Sequence, residues 1–271
     1  MRAFLLIAVA LAAAGCMEGR STDDRAVVAA FYPLAWAAGG VAPGAVSVVN
    51  LTPPGAEPHD VELSPGDVET VHDAQLVVYL GGGFQPALED AVEGRRGPSL
   101  DLLGDDERDP HIWLDPVRFA RAVDDIANEL DGSDSSALLA DLERLDAEYR
   151  RGLEDCERDV IVTTHAAFGL LARRYGLTEL SLAGRSPESE PGPRELEELI
   201  EDVRASGATT VFAEPLVLDE VAETVAHEAG ATLATLDPVE GLSQGRLDAG
   251  EDYISVMRAN LAALREALGC R

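Results

Sequence analysis

The sequence contains no lysine. All 21 basic residues are arginine, and they face 50 Asp and Glu residues, for a formal net charge of −29. A surface this negative repels phosphate backbones within a Debye length, which argues against a nucleic-acid partner. An acid excess without lysine is typical of salt-adapted proteomes, in which carboxylates maintain hydration at molar salt. We interpret the charge mainly in this way, with a general attraction for cations as the alternative, so the charge says little about the ligand.

Other chemistry-bearing features are also scarce. Aromatic residues make up 5% of the chain, there are only three cysteines, and neither a CxxC nor an HExxH pair occurs. These absences argue against a thiol redox site, a cysteine-rich zinc site and a helix-borne metalloprotease site. A chain of 271 residues that is 46% hydrophobic excludes disorder and is long enough for one large or two smaller cores.

The apolar run near the N-terminus, residues 3–14, is shorter than the roughly 20 residues that cross a bilayer. It follows Arg2 and ends at Gly15-Cys16, a pattern typical of a secretory signal with a lipobox over residues 1–16. We therefore expect a lipid on Cys16 and a flexible tether over residues 17–25, with an ordinary signal peptide as the alternative. In both cases the mature chain works outside the cytoplasm.

The remaining two cysteines, Cys156 and Cys270, form an even pair if Cys16 is acylated. In an oxidising compartment such a pair predicts a disulfide, and two buried free thiols are the alternative.

Short β-branched runs alternate with longer amphipathic stretches, which predicts parallel α/β units. The predicted strands cover residues 26–31, 45–50, 75–80, 160–164, 178–182, 209–213 and 231–236, and the predicted helices cover 64–73, 116–130, 135–156, 193–205, 218–229 and 251–268. The helix at 135–156 has strands on both sides, so we expect two α/β lobes, 26–133 and 157–271, linked by one long backbone helix within 134–156. Ligands of such folds bind where the carboxyl ends of the strands converge, here in the cleft between the lobes.

Three of the five histidines stand near segment ends: His59, His111 and His165. Neutral imidazole suits Zn²⁺, Cu²⁺, Ni²⁺ and Fe²⁺, and three imidazoles from separate loops can fill three corners of a tetrahedron. Asp237, just past the last predicted strand, is the first candidate for the fourth corner. Spacing alone leaves open that each histidine only forms hydrogen bonds.

Two further acids are lesser candidates for the fourth corner, Glu57 and Glu214. The acidic loop 101–109 is interpreted as a solvated charge run, with loose collection of cations as the alternative.

Six segments carry a family resemblance, in this order: PGAEPHDVELSPGDV, DPHIWLDP, VTTHAAFGLLARRYGL, SPESEPGPREL, FAEPLVL and LDPVEGL. Together they resemble the metal-binding solute-binding proteins of ABC importers, the zinc/manganese receptor family, from about Val27 to the C-terminus. The resemblance implies two lobes linked by a rigid helix, with one metal ion at the lobe interface. By residue, it matches the metal ligands to His59, His111, His165 and Asp237. A histidine at the third position favours Zn²⁺ as cargo, because manganese sites prefer more carboxylate.

The resemblance thus predicts a monomeric receptor, held at the outer face of the membrane by Cys16, that captures zinc and delivers it to an ABC permease without catalysing a reaction. The alternatives are a manganese or iron receptor of the same type, a receptor for an organic metal chelate, and an adhesin with a structural metal. A further alternative is a three-histidine zinc hydrolase with Glu57 or Asp60 as its base.

Overall fold

The computed structural model describes residues 26–104, 108–183, 192–215 and 220–271. The expected signal peptide, the lipobox at Cys16 and the tether lie outside these residues, as does the central part of the acidic loop 101–109. Among the described residues, no helix is both long enough and apolar enough to cross a membrane.

The N-terminal lobe is built on a four-stranded parallel sheet with the order β2-β1-β3-β4. Its central strands are rich in valine and buried on both faces, as expected for a parallel sheet covered by helices. The strands are β1 (Val27–Ala29), β2 (Val48–Asn50), β3 (Leu76–Tyr79) and β4 (Ser99–Asp101), and the helices between them are α1 (Tyr32–Val41), α2 (Pro65–Asp73) and α3 (Pro86–Glu93).

Two helices follow the first sheet before the next strand begins, α4 (Pro116–Glu129) and α5 (Ser136–Gly152). Helix α5 is the predicted backbone helix, but it ends at Gly152, four residues before the predicted end at Cys156. Glycine is a weak helix former, and the acids Glu154 and Asp155 would face the negative end of the helix dipole.

The C-terminal lobe repeats the topology of the first, with the strand order β6-β5-β7-β8 and parallel pairing throughout. The expected fold class of two similar parallel-sheet lobes is therefore confirmed. The strands are β5 (Val160–Thr163), β6 (Thr178–Ser181), β7 (Thr210–Ala213) and β8 (Thr232–Thr235), and the helices are α6 (Gly169–Tyr175), α7 (Pro193–Ser206), α8 (Glu220–Ala229), α9 (Gln244–Asp248) and α10 (Tyr253–Leu268).

The last helix, α10, connects the two lobes. Its first residue, Tyr253, packs its ring against Trp36 and Phe119 of the N-terminal lobe, with centroid distances of 4.8 and 4.9 Å. Further along, the buried hydroxyl of Tyr149 on α5 donates to the carbonyl of Met257 on α10 at 2.6 Å. The predicted disulfide between Cys156 and Cys270 is present and joins the end of α10 to the segment before β5.

Candidate metal centre

Four side chains from four separate loops converge at the carboxyl ends of the strands, between the two lobes. They are His59, His111, His165 and Glu240, and one ligand atom from each lies within 4.8 Å of all the others. The Nε2 atom of each histidine is 3.5 Å from Oε1 of Glu240. Two donors about 2.0–2.1 Å from a tetrahedral zinc ion would be about 3.3–3.4 Å apart, so the group has the size of one such coordination shell.

These donor atoms are buried without hydrogen-bond partners among the described residues. The three Nε2 atoms and both carboxylate oxygens of Glu240 are all in this position. Leaving a buried polar atom unpaired costs about 1–3 kcal/mol, and five such atoms in one place need an explanation. A cation among them would satisfy all four side chains at once.

His59 is positioned by a short 3₁₀ helix, Pro58–Asp60, in the loop after β2. The carboxylate of Glu57 caps this helix by accepting the backbone N–H of His59 at 3.2 Å. The buried amide of Gln85 donates to the carbonyl of Pro58 at 3.0 Å and to the hydroxyl of Thr52 at 3.2 Å, which ties the loop to the lobe.

His111 directly precedes a second 3₁₀ helix, Ile112–Leu114. Its Nδ1 donates to the carboxylate of Asp109 at 2.9 Å, and the same carboxylate accepts its backbone N–H at 3.2 Å. Burial opposes ionisation of Asp109, but His111 and Arg173 lower the pKa of its carboxyl below its usual value. This carboxylate therefore directs Nε2 of His111, not Nδ1, towards the cluster.

His165 begins the turn that follows β5. The hydroxyl of Thr163 donates to the carbonyl of His165 at 3.0 Å and fixes this turn. Nδ1 of His165 donates at 2.5 Å to Glu214, the residue after β7, and the hydroxyl of Thr164 also donates to that carboxylate. Glu214, a lesser candidate for ligation in the sequence, is therefore the orienting partner of a histidine.

Asp237, predicted as the fourth ligand, is not part of the cluster. Its carboxylate accepts the backbone N–H of Val239 at 2.7 Å and a hydrogen bond from Arg246 at 2.6 Å. These two contacts occupy the carboxylate and hold it away from the histidines. The carboxylate in the cluster comes instead from Glu240, three residues further along the same loop. The Asp-Pro pair at 237–238 was an available signal, because an aspartate before proline commonly accepts the N–H two residues on.

The cluster is electrostatically coupled. Burial opposes protonation of His165, but the carboxylates of Glu214 and Glu240 outweigh it and raise its pKa to about 10. Burial likewise opposes ionisation of Glu240, but the three imidazoles hold its pKa well below the usual value. Burial and the nearby charge of Glu240 raise the pKa of Glu57 to about 8. Without a metal ion, the charge of Glu240 is thus balanced by protonated imidazole.

Two hydrogen bonds of Trp113 join the two lobes beside the cluster. The indole Nε1 of Trp113, next to His111, donates to the carbonyl of Pro238 at 2.6 Å, and the hydroxyl of Tyr253 donates to the carbonyl of Trp113 at 2.5 Å. Two of the cluster residues come from the N-terminal lobe and two from the C-terminal lobe. The spacing of the donor atoms therefore depends on how the two lobes are held together.

Two similar parallel-sheet lobes with a buried donor cluster at their interface define a two-lobed solute-binding protein with a metal-type site. A family model described as ZnuA, zinc-uptake complex component A, periplasmic, matches residues 27–267. The chain belongs to this family.

A curated relative, the zinc-binding lipoprotein AdcA of Streptococcus pneumoniae, is 31% identical over 293 residues, which cover 95% of this chain and 58% of AdcA. The chain thus spans about 58% of the length of that relative. The zinc-bound ZnuA-like domain of the same protein has a solved structure that is 32% identical, with a TM-score of 0.77 over 90% of this chain and 99% of that domain.

A second solved structure is that of the laminin-binding protein Lmb of Streptococcus agalactiae, described as having adhesin and metal-transporting activity. It is 32% identical and has a TM-score of 0.81 over 90% of this chain and 99% of its own. These streptococcal relatives give no support to the salt-adapted interpretation of the acidic charge.

Proposed function

We propose that this protein is an extracytoplasmic receptor that captures Zn²⁺ and delivers it to an ABC permease. One observation carries the proposal: three imidazole nitrogens and one carboxylate, all buried and without hydrogen-bond partners among the described residues, converge on a volume that fits one ion. The ligands are His59, His111, His165 and Glu240.

The donor set favours zinc over manganese. Three neutral imidazoles and one carboxylate suit a four-coordinate tetrahedral ion, whereas Mn²⁺ prefers six oxygen-rich ligands. The outer contacts support the same assignment, because His111 and His165 each donate Nδ1–H to a carboxylate, the common arrangement around protein-bound zinc. The zinc-bound AdcA domain, which shares the fold, agrees with this choice.

Release follows from the division of the ligands between lobes. A small displacement of one lobe against the other would separate His59 and His111 from His165 and Glu240 and would break the shell. We propose that docking on the permease supplies this displacement, since a closed tetrahedral site otherwise holds zinc tightly. The lipid on Cys16 would keep the monomeric receptor at the outer face of the membrane, close to its permease.

Capture and delivery require no bond to be made or broken in a substrate. A zinc hydrolase leaves one coordination position open for water, and here Glu240 lies at that position, 3.5 Å from each imidazole. We therefore propose a transport function without catalysis, and we expect the zinc-loaded protein to show no turnover of ester or peptide substrates.

The test is a competition titration of the purified, metal-stripped protein with Zn²⁺ and with Mn²⁺ against a chelator of known affinity. We expect one tightly bound zinc ion per chain and much weaker binding of Mn²⁺. His165→Ala should weaken zinc binding by about two orders of magnitude or more. The matched control is His227→Ala, because the side chain of His227 is 85% exposed on α8, pairs with Glu228 and is not part of the donor cluster.

Three results would refute the proposal. Tighter binding of Mn²⁺ than of Zn²⁺ would show that zinc is not the cargo. Equal zinc affinity in His165→Ala and in the native protein would show that His165 is not a ligand. Turnover of an ester or peptide by the loaded protein would support the hydrolase instead.

A further inference from the structure

The loop that presents Glu240 contains an unusual backbone conformation. Val239 has φ of +58°, and it is the one residue other than glycine with a positive φ among the described residues. β-branched residues avoid this region because the side chain collides with the backbone. The preceding residue, Pro238, has a fixed φ, so the loop has little freedom to relieve the strain elsewhere.

Asp237 supplies the contacts that maintain this conformation. Its Oδ1 accepts the N–H of Val239 at 2.7 Å, which closes a tight turn across Pro238. Its Oδ2 accepts from Arg246 on α9 at 2.6 Å. Both of its backbone groups pair with the side chain of the buried Asn260 on α10, at 2.9 and 2.7 Å.

The backbone and carboxylate of Asp237 and the carbonyl of Pro238 are thus held by other elements, whereas the carboxylate of Glu240 has no hydrogen-bond partner within the described part of the chain. A strained residue persists only where its surroundings hold it, and such residues concentrate at functional sites. The next side chain after Val239 is the one that enters the donor cluster. If Val239 relaxed to negative φ, the chain direction would change and move the Glu240 carboxylate away from the imidazoles.

We propose that Asp237, paired with Arg246, is the positioning residue of the zinc site: it holds Val239 in the left-handed conformation and thereby aims the Glu240 carboxylate at the three histidines. This inference rests on the proposed function and assigns a role to an acid that does not itself contact the ion. Preorganisation of this kind strengthens binding because the ion need not order the loop.

The experiment compares zinc affinity, the visible absorption of bound Co²⁺ and thermal unfolding of the metal-free protein in a set of variants. Asp237→Ala should weaken zinc binding by about 10- to 100-fold, the range found for outer partners of metal ligands. Its Co²⁺ spectrum should shift towards that of Glu240→Gln, because both variants lose the carboxylate from the coordination shell.

A second substitution should restore the zinc affinity that Asp237→Ala loses. Glycine adopts positive φ without strain, so Val239→Gly in the Asp237→Ala background should recover most of the lost affinity and the native Co²⁺ spectrum. A merely structural role for Asp237 predicts no such recovery, since glycine adds no contact.

The matched control is Glu251→Gln. Glu251 pairs with the same Arg246 at 2.9 Å but from the exposed side, so its loss leaves the Asp237 contact in place. We expect native affinity and a native spectrum for this variant. Should Asp237→Ala fail to fold, Arg246→Gln tests the same pair from its more exposed partner, with a loss of affinity in the same direction.

Native-like zinc affinity and spectrum in Asp237→Ala, or in Arg246→Gln if that variant is used, would overturn this inference while leaving the proposed function intact. Absence of recovery on adding Val239→Gly would also overturn it. Failure of the native protein to bind zinc would refute the proposed function, and this inference with it.

Discussion

The partnership of His165 with Glu214 makes a quantitative prediction about the competition between zinc and protons. With a pKa of about 10, His165 is protonated in the metal-free protein at pH 7. Zinc requires a neutral imidazole, so binding must displace this proton. A gap of about three pH units corresponds to about 4 kcal/mol that zinc binding must offset at pH 7.

This competition sets the direction in which zinc affinity changes with pH. Between pH 6 and 8.5, below the pKa of His165, the apparent zinc affinity of the native protein should increase about tenfold per pH unit for each proton displaced. Binding at pH 7 should release at least about one proton per zinc ion, which a pH indicator in weak buffer measures.

Glu214→Gln perturbs both sides of the competition. The amide no longer holds the imidazole as a strong ligand, which should weaken the intrinsic affinity for zinc, apart from proton competition, about 10- to 100-fold, or about 1.4–2.7 kcal/mol. The same change removes the charge that raises the pKa of His165, so a proton on His165 competes less with zinc at pH 6. The difference between variant and native protein should therefore narrow as the pH falls.

The assay is chelator competition at several pH values from 6 to 8.5, with Glu228→Gln as the control. Glu228 lies 3.3 Å from Nδ1 of His227, an exposed pair outside the site, so its replacement should change nothing. The reasoning would be refuted if the zinc affinity of the native protein stayed constant across this pH range. It would also be refuted if the zinc affinity of Glu214→Gln changed with pH in parallel with that of the native protein.

Three further outcomes are expected. Trp113→Phe removes the donor to the carbonyl of Pro238 and leaves that buried acceptor unpaired, so the free energy of unfolding should fall by about 1–3 kcal/mol in denaturant titrations. Zinc release should also become faster in stopped-flow chelation. An unchanged release rate would show that this contact does not stabilise the site. Replacing Cys156 and Cys270 together by serine should lower the stability by about 4–5 kcal/mol in the chain-entropy model for a separation of 114 residues. Zinc affinity should stay native in that variant, since Cys156 lies before the start of β5, at the opposite end of that strand from His165. Small-angle scattering curves of metal-free and loaded protein should nearly superimpose, because α5 and α10 hold the lobes together; a large closure on loading would contradict this view of the helices.

Most of the fold was accessible from the pattern of residues. Seven of the eight strands in the described part of the chain were predicted, because short β-branched runs bounded by polar residues are typical of strands in a parallel sheet. The missed strand, β4 (Ser99–Asp101), has three residues with mostly exposed side chains at the edge of its sheet. Such a strand is defined by pairing with β3, so its own sequence carries no periodic signal.

The histidines of the site were accessible for a related reason. Each stands where a strand ends or a helix begins, and the carboxyl ends of parallel strands meet at one edge of a sheet. The other two of the five histidines, His72 and His227, lie within helices, exposed on α2 and α8. Placement along the chain therefore separated the clustered histidines from the others.

The sequence by itself predicted the two lobes and the helix between them from local periodicity, the disulfide from an even pair of cysteines, and the three imidazoles from their place near segment ends together with the family resemblance. Only the tertiary structure decided which acid completes the cluster and which acids orient the histidines. Asp237 and Glu240 are three residues apart in one loop, and a backbone turn at Val239, stabilised by contacts from α9 and α10, directs one inward and engages the other with Arg246. The bond from Val239 to Asp237 within the loop is local, and the Asp-Pro pair hints at it, but the contacts from Arg246 and Asn260 come from elements further along the chain and leave no local pattern.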